Sequence, residues 1–238
     1  MKVTLRKVNA DRKLIDKEID RLVNDISAGA KPIIGFHVVS NDFMGIISVD
    51  QYKVNCVANW QSLNDLIVRR NYLNEKTMLA YGGLVEVPSV ENSYVVTVPK
   101  FIGFDKSTND TETLTIAQAI SRKNWFSSEI KTVINMLERR VTEVEIEFNK
   151  TQKRLESDLT NMLNSQFGPE SSHTSKQRIE FMESIKSKYT LEVIDPLNIK
   201  SKIDNARKVL STYLSDIDSI ISRATETTEI EINGQNLS

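Results

Sequence analysis

One helical pattern runs from Ile116 to Phe167 without a single glycine or proline. At 1.5 Å per residue it would extend roughly 75 Å, several times the length of an ordinary globular helix. A rod of that length cannot hide its apolar stripe in a small core. It needs a partner helix from the same chain, from a second copy, or from both. Thr115 and Gln118 form a capping-box pattern that opens it. Further along, Leu137, Val141, Val144, Phe148, Leu155 and Met162 fit a coiled-coil repeat, with polar Thr151 and Asp158 at two seam positions.

Gly168-Pro169-Glu170-Ser171-Ser172 reads as a turn, followed by a return helix from Ser175 to Tyr189. That helix is interrupted at Leu191-Glu192-Val193-Ile194. It restarts at Asp195-Pro196, an N-cap followed by proline at the first helical position. Ile199, Ile203, Ala206, Leu210, Tyr213, Ile217, Ile220 and Ala224 then give the most regular seam in the chain. Two arms of similar length around Gly168 predict an antiparallel helical hairpin.

The first half predicts a helical base. Leu5, Val8, Ile15, Ile19, Leu22 and Ile26 share one helix face. Ile33 to Val39 reads as a short strand. A second helix opens at the Ser48/Gln51 capping pattern, carries Tyr52, Cys56, Trp60, Leu63, Ile67 and Leu73 on its apolar face, and stops at Gly82-Gly83. Leu84–Val87 and Tyr94–Ile102 read as strands, Pro88–Ser93 as their connection, and Asp105–Glu112 as a polar loop. Thr227 to Ile232 alternates like a closing strand and is expected in the same sheet as Leu84–Val87. The predicted class is therefore α+β, mostly α: a helical bundle with a small antiparallel sheet and a long hairpin arm. Residues 1–115 form the base, 116–226 the hairpin, and 227–238 a returning strand and tail.

Composition narrows the chemistry. The net charge of −1 gives no global case for nucleic acid or an acidic membrane as partner. The scarcity of glycine and proline, 8 and 5 residues, beside 26% charged residues suits long helices with solvated faces. Cys56 is the single cysteine, so no intramolecular disulfide can form and a reducing compartment fits. The first residues lack the apolar core of a secretion signal, and no stretch approaches a membrane span. A soluble protein of the cytoplasm is expected.

No catalytic motif emerges. His37 lies in an apolar run and His173 in a serine-rich turn, neither with a metal-ligand partner at helical spacing. No nucleophile elbow, P-loop or dinucleotide fingerprint occurs, and Cys56 falls on an apolar face. The expectation is a protein that is not an enzyme and holds neither cofactor nor metal. The basic clusters carry the one ligand hypothesis. Arg69 and Arg70 lie on the second helix. Arg122 and Lys123, followed by Trp125, lie in the first turns of the long one. Guanidinium and a helix start can hold phosphate, and an indole can stack a base. The competing reading is ordinary, with the cations solvated and Trp125 in the core.

Several segments together look familiar. They are Thr4-Leu5-Arg6-Lys7-Val8-Asn9-Ala10, the Trp60, Leu63, Leu66, Ile67, Arg69, Arg70 series, the Thr115-Ile116-Ala117 to Arg122-Lys123 stretch, and Asp195-Pro196-Leu197-Asn198-Ile199 with the closing Thr-Thr-Glu-Ile-Glu-Ile. Their order and spacing resemble small proteins of tailed bacteriophages, whose first half is similar to the bacterial septicolysin-like family, helical and oligomeric. This chain departs by a longer stretch between the strands and by its C-terminal hairpin. The long seam, which demands burial beyond a monomer's reach, predicts a homo-oligomer, and the resemblance implies a protein acting in the host cell cytoplasm. Two functions follow as expectations. One is a sponge that sequesters a nucleotide-type immune signal through Arg69, Arg70, Arg122, Lys123 and Trp125. The other is a virion-associated or assembly protein.

Overall fold

The computed structural model describes residues 3–24, 33–40, 43–44, 47–83, 86, 95–105, 110–168 and 176–227. In chain order the elements are α1 (Leu5–Asn24), β1 (Gly35–Val38), β2 (Phe43–Met44), β3 (Ile47–Ser48), α2 (Val49–Tyr81), β4 (Val95–Pro99), β5 (Thr111–Thr115), α3 (Ile116–Trp125), α4 (Lys131–Phe167), α5 (Lys176–Ile185), β6 (Leu191–Ile194) and α6 (Ile199–Thr227). A π-helical turn, Phe126–Ile130, joins α3 to α4, and a 3-10 turn, Lys186–Tyr189, follows α5. The protein is α+β and mostly α. Among the described residues no helix is long and apolar enough to cross a membrane.

The chain forms two compact units, each drawn from separate stretches: Met1–Ile19, Asn64–Ile134 and Asp204–Ser238 in the first, Asp20–Leu63 and Asn135–Ile203 in the second. In the first unit β4 and β5 pair antiparallel, from Val95 opposite Thr115 to Pro99 opposite Thr111. This corrects the reading of Asp105–Glu112 as loop throughout; the strand expected at Leu84–Val87 falls largely outside the described residues. Residues 84, 85 and 87 lie outside the described ones. The threonines of β5 are β-branched and suit a pleated surface, and Leu114 is buried opposite Val96. Glu112 sits on the same inward face, opposite Val98. A carboxylate at an inward position breaks the apolar alternation by which a strand is recognised.

The long pattern is helical throughout, as its composition predicts, but it is not one α-helix. Gln118, Arg122, Phe126, Ile130 and Ile134 are all buried and succeed one another in steps of four. A period of 3.6 residues would carry such a row off the core face. The π-turn, in which the Lys131 N–H donates to the Phe126 carbonyl, takes up the excess. The capping box forms as expected: the Gln118 N–H donates to Thr115 Oγ1 at 3.2 Å, and the Thr115 N–H to Gln118 Oε1 at 2.8 Å. Along α6 the buried row continues through Leu210, Tyr213 and Ile217, with Tyr213 against Phe126.

In the second unit the segment Leu191–Ile194 is not merely a helix interruption. It is β6, paired antiparallel with β1 from Gly35 opposite Ile194 to Val38 opposite Leu191. Beneath it Tyr52, Cys56 and Ile194 form a small core with Ile47, Val49 and Leu197. The return after α4 is latched by Arg178, which donates to the Gly168 carbonyl at 2.7 Å and to Asn164 Oδ1 at 3.2 Å. Phe181 packs beside Phe167. The final helix begins at Ile199 rather than at Pro196. Asn198 adopts φ 51°, a left-handed conformation that asparagine tolerates, and the Asp195 carboxylate accepts from the Ile199 N–H. Asp195 is thus a cap, but across an intervening turn. Thr227 ends α6, and the closing strand expected at 227–232 otherwise lies outside the described residues.

Most of the regular seam of the last helix is buried within the single chain, at Ile199, Ile203, Ala206, Leu210, Tyr213 and Ile217, while its last two positions, Ile220 and Ala224, are partly exposed.

Candidate functional site

The five residues that sequence singles out do not converge on one pocket. Arg122 is fully buried. Its Nη1 donates to Glu112 Oε1 at 2.8 Å and to Tyr213 Oη at 2.6 Å, and its Nη2 pairs with the Glu75 carboxylate. Gln118 adds a bond from Nε2 to the Glu75 carbonyl at 3.1 Å. One guanidinium thus ties α2, β5, α3 and α6 together. Burial opposes its charge, but the hydrogen bond to Glu112 and the neighbouring acidic groups reverse this and hold it above its ordinary pKa. Burial raises the Glu75 carboxyl despite the pull of Arg122, and pushes the Tyr213 phenol up to about 12. Two carboxylates already face Arg122, so it is not free to hold phosphate.

Lys123 pairs with Asp218 across to α6. Arg69 is exposed on α2. Arg70 and Trp125 do come together, with the guanidinium 5.3 Å from the indole centroid, while Arg70 Nε donates to Asp16 Oδ1 at 2.7 Å. Phe126 meets the same indole edge-on at 5.2 Å. The ring expected to stack a base is engaged by Arg70 and Phe126 and almost buried. Cys56 is fully buried, and burial pushes its thiol up to about 12, which makes it a poor nucleophile. His173 lies outside the described residues, and His37 faces Glu192 at 3.7 Å in the β1–β6 ladder.

A different feature of the first unit has the form of a ligand site. Residues 99–103 run beside α6 and leave a groove of about 280 Å³, just below the roughly 300–1,000 Å³ of ligand pockets. Its floor is Phe101, Ile102, Val209 and Tyr213, and its rim Lys100, Asn205, Lys208, Thr212 and Asp216. The floor is rigid. Phe101 meets Phe126 at 4.7 Å and Tyr213 at 5.7 Å, both edge-on. The strap is pinned at Phe104, whose N–H donates to Asn64 Oδ1 at 2.9 Å and whose carbonyl accepts from Asn205 Nδ2 at 2.7 Å. Gly103, at φ 115°, lets the chain turn there. A Cβ on it would lie 3.3 Å from Asn64 Oδ1.

Sequence reading missed this groove. Lys100 follows a proline at a strand end, and Asn205, Lys208, Thr212 and Asp216 look like the solvated face of an amphipathic helix. Only the four-residue spacing of the last three, beside Val209, hints at a polar ridge along an apolar furrow.

Comparison with known proteins gives no match: no protein-family model, no curated protein and no solved structure.

Proposed function

We propose that this is a non-enzymatic binding protein of bacteriophage type that holds a small organic anion, such as a mononucleotide, in the groove between residues 99–103 and α6. The carrying observation is the pairing of an aromatic and aliphatic floor with two lysines of the rim, Lys100 and Lys208. A flat base would lie against the partly exposed Ile102 and Val209, backed by the buried rings of Phe101 and Tyr213. Its phosphate would meet the ammonium groups, and Thr212 and Asn205 would orient it. Buried Arg122 supports this site from beneath through its bond to Tyr213 and does not touch the ligand. Sequestration needs no more than this, since holding a signal removes it from its receptor by mass action.

The test is a calorimetric titration with adenosine 5′-monophosphate and, separately, adenosine. Binding of the monophosphate at least tenfold tighter than the nucleoside, lost in Val209→Trp, supports the reading. Equal binding of both, or none, contradicts it.

A second reading, a virion-associated or assembly protein working as a homo-oligomer, draws on Val54 and Val57. They stand one helical turn apart on α2, 60% and 36% exposed. A concentration-dependent oligomer that Val54→Lys dissolves would favour it.

A further inference from the structure

Apart from the groove, the first unit brings two arginines, Arg12 and Arg70, within electrostatic reach of each other. Arg12 and Asp16 lie one turn apart on α1, and Arg70 reaches Asp16 from α2. Arg70 is 7% exposed, and its Nη1 is buried without an acceptor. The Nε of Arg12 is likewise buried without an acceptor, while its Nη1 makes only a long 3.4 Å bond to Asn9 Oδ1. Among the described residues, Asp16 pairs with Arg70 and acts on Arg12 through its charge alone. Burial lowers the Arg12 pKa, the charge of Arg70 lowers it further, and Asp16 only partly offsets them.

Buried guanidinium N–H groups are costly unless paired, and in native proteins an unpaired one calls for an ion or water to satisfy it. The Arg70 guanidinium lies 5.3 Å from the Trp125 ring centroid, and its unsatisfied Nη1 donates in the guanidinium plane. Each guanidinium keeps one unsatisfied donor, and an oxyanion has several oxygens with which to accept from both. Asp16 is the solvent-facing member of the trio, its side chain 45% exposed, and its carboxylate can turn aside to admit an ion.

We infer that Arg12 and Arg70 form a seat for one oxyanion, a phosphate group in the first place, between α1 and α2. This seat is separate from the groove at residues 99–103 and does not depend on what that groove binds. An occupied seat would tie α1 to α2 and quench or shift the emission of Trp125 through Arg70.

The experiment is a titration of the full chain with inorganic phosphate, followed by tryptophan fluorescence and by thermal melting. Potassium chloride at matched ionic strength is the control. Phosphate is expected to change the emission saturably and to raise Tm beyond chloride. Arg12→Gln, at a partly buried position, is expected to weaken half-saturation at least tenfold. Arg12→Lys should recover only part of this, since an ammonium keeps the charge but not the fork. Trp125→Phe should abolish the fluorescence change and keep the phosphate-dependent Tm shift. Val209→Trp should leave both responses unchanged, which separates this seat from the groove. Identical responses to phosphate and chloride, or an Arg12→Gln variant that titrates like wild type, would overturn the inference.

Discussion

Arg122 shows how far a residue's type can mislead about its role. An arginine followed by lysine, asparagine and tryptophan near a capped helix start has the ingredients of a phosphate site. Its actual partners come from residues 75, 112 and 213, which no local pattern joins. Breaking such a buried pair by removing one member costs about 3–5 kcal/mol, because the other charges stay buried. Arg122→Ala should therefore lose that much stability in a urea melt, while Lys123→Ala, at a partly exposed pair, should lose under about 1 kcal/mol. Equal losses would mean that the guanidinium network does not hold the fold. The pH dependence has a definite sign. Glu75 has a raised folded pKa, so its ionisation costs the folded state, and that cost disappears as pH falls through the raised value. Wild type should thus gain stability relative to Glu75→Gln on acidification from pH 7 towards the ordinary carboxylate range. A difference that is constant or shrinks over that range contradicts the reading.

At the scale of elements, helices were legible wherever capping chemistry and apolar periodicity agreed, as at Thr115–Gln118, Ser48–Gln51 and the Gly82-Gly83 stop. Gly83 does take a positive φ of 71°. Strands were less legible. Glu112 on the inward face of β5 disguised a strand as a loop. The long-range pairing of β1 with β6, across some 150 residues of sequence, leaves no local trace. The π-turn was readable in retrospect from the run of four-residue steps between Gln118 and Ile134. Close packing in the small sheet supplies a test. A Cβ at Gly35 would collide with the Tyr52 hydroxyl, which donates to the Ile34 carbonyl at 3.0 Å. Gly35→Ala should cost about 1–3 kcal/mol by overpacking. The double variant Gly35→Ala/Tyr52→Phe should recover part of that, and no recovery would place the strain elsewhere. Thr115→Ala removes the cap of α3 and should cost about 1 kcal/mol.

For the whole molecule, the sequence carries its class, α+β and mostly α, better than its working site. A seam recognised by its repeat says that a helix face must be covered, not what covers it. In α6 the chain covers most of that face itself, and Ile217→Asp should accordingly unfold the protein rather than dissociate an oligomer, because an unpaired buried carboxylate costs several kcal/mol. The groove was illegible because its floor joins residues 101 and 213, and its two lysines lie on segments that meet only in the fold. Native mass spectrometry of the purified chain with adenosine 5′-monophosphate, wild type beside Val209→Trp, tests the central claim most directly. The account predicts one bound nucleotide per chain in wild type and none in the variant. A folded wild type that carries no nucleotide would contradict it.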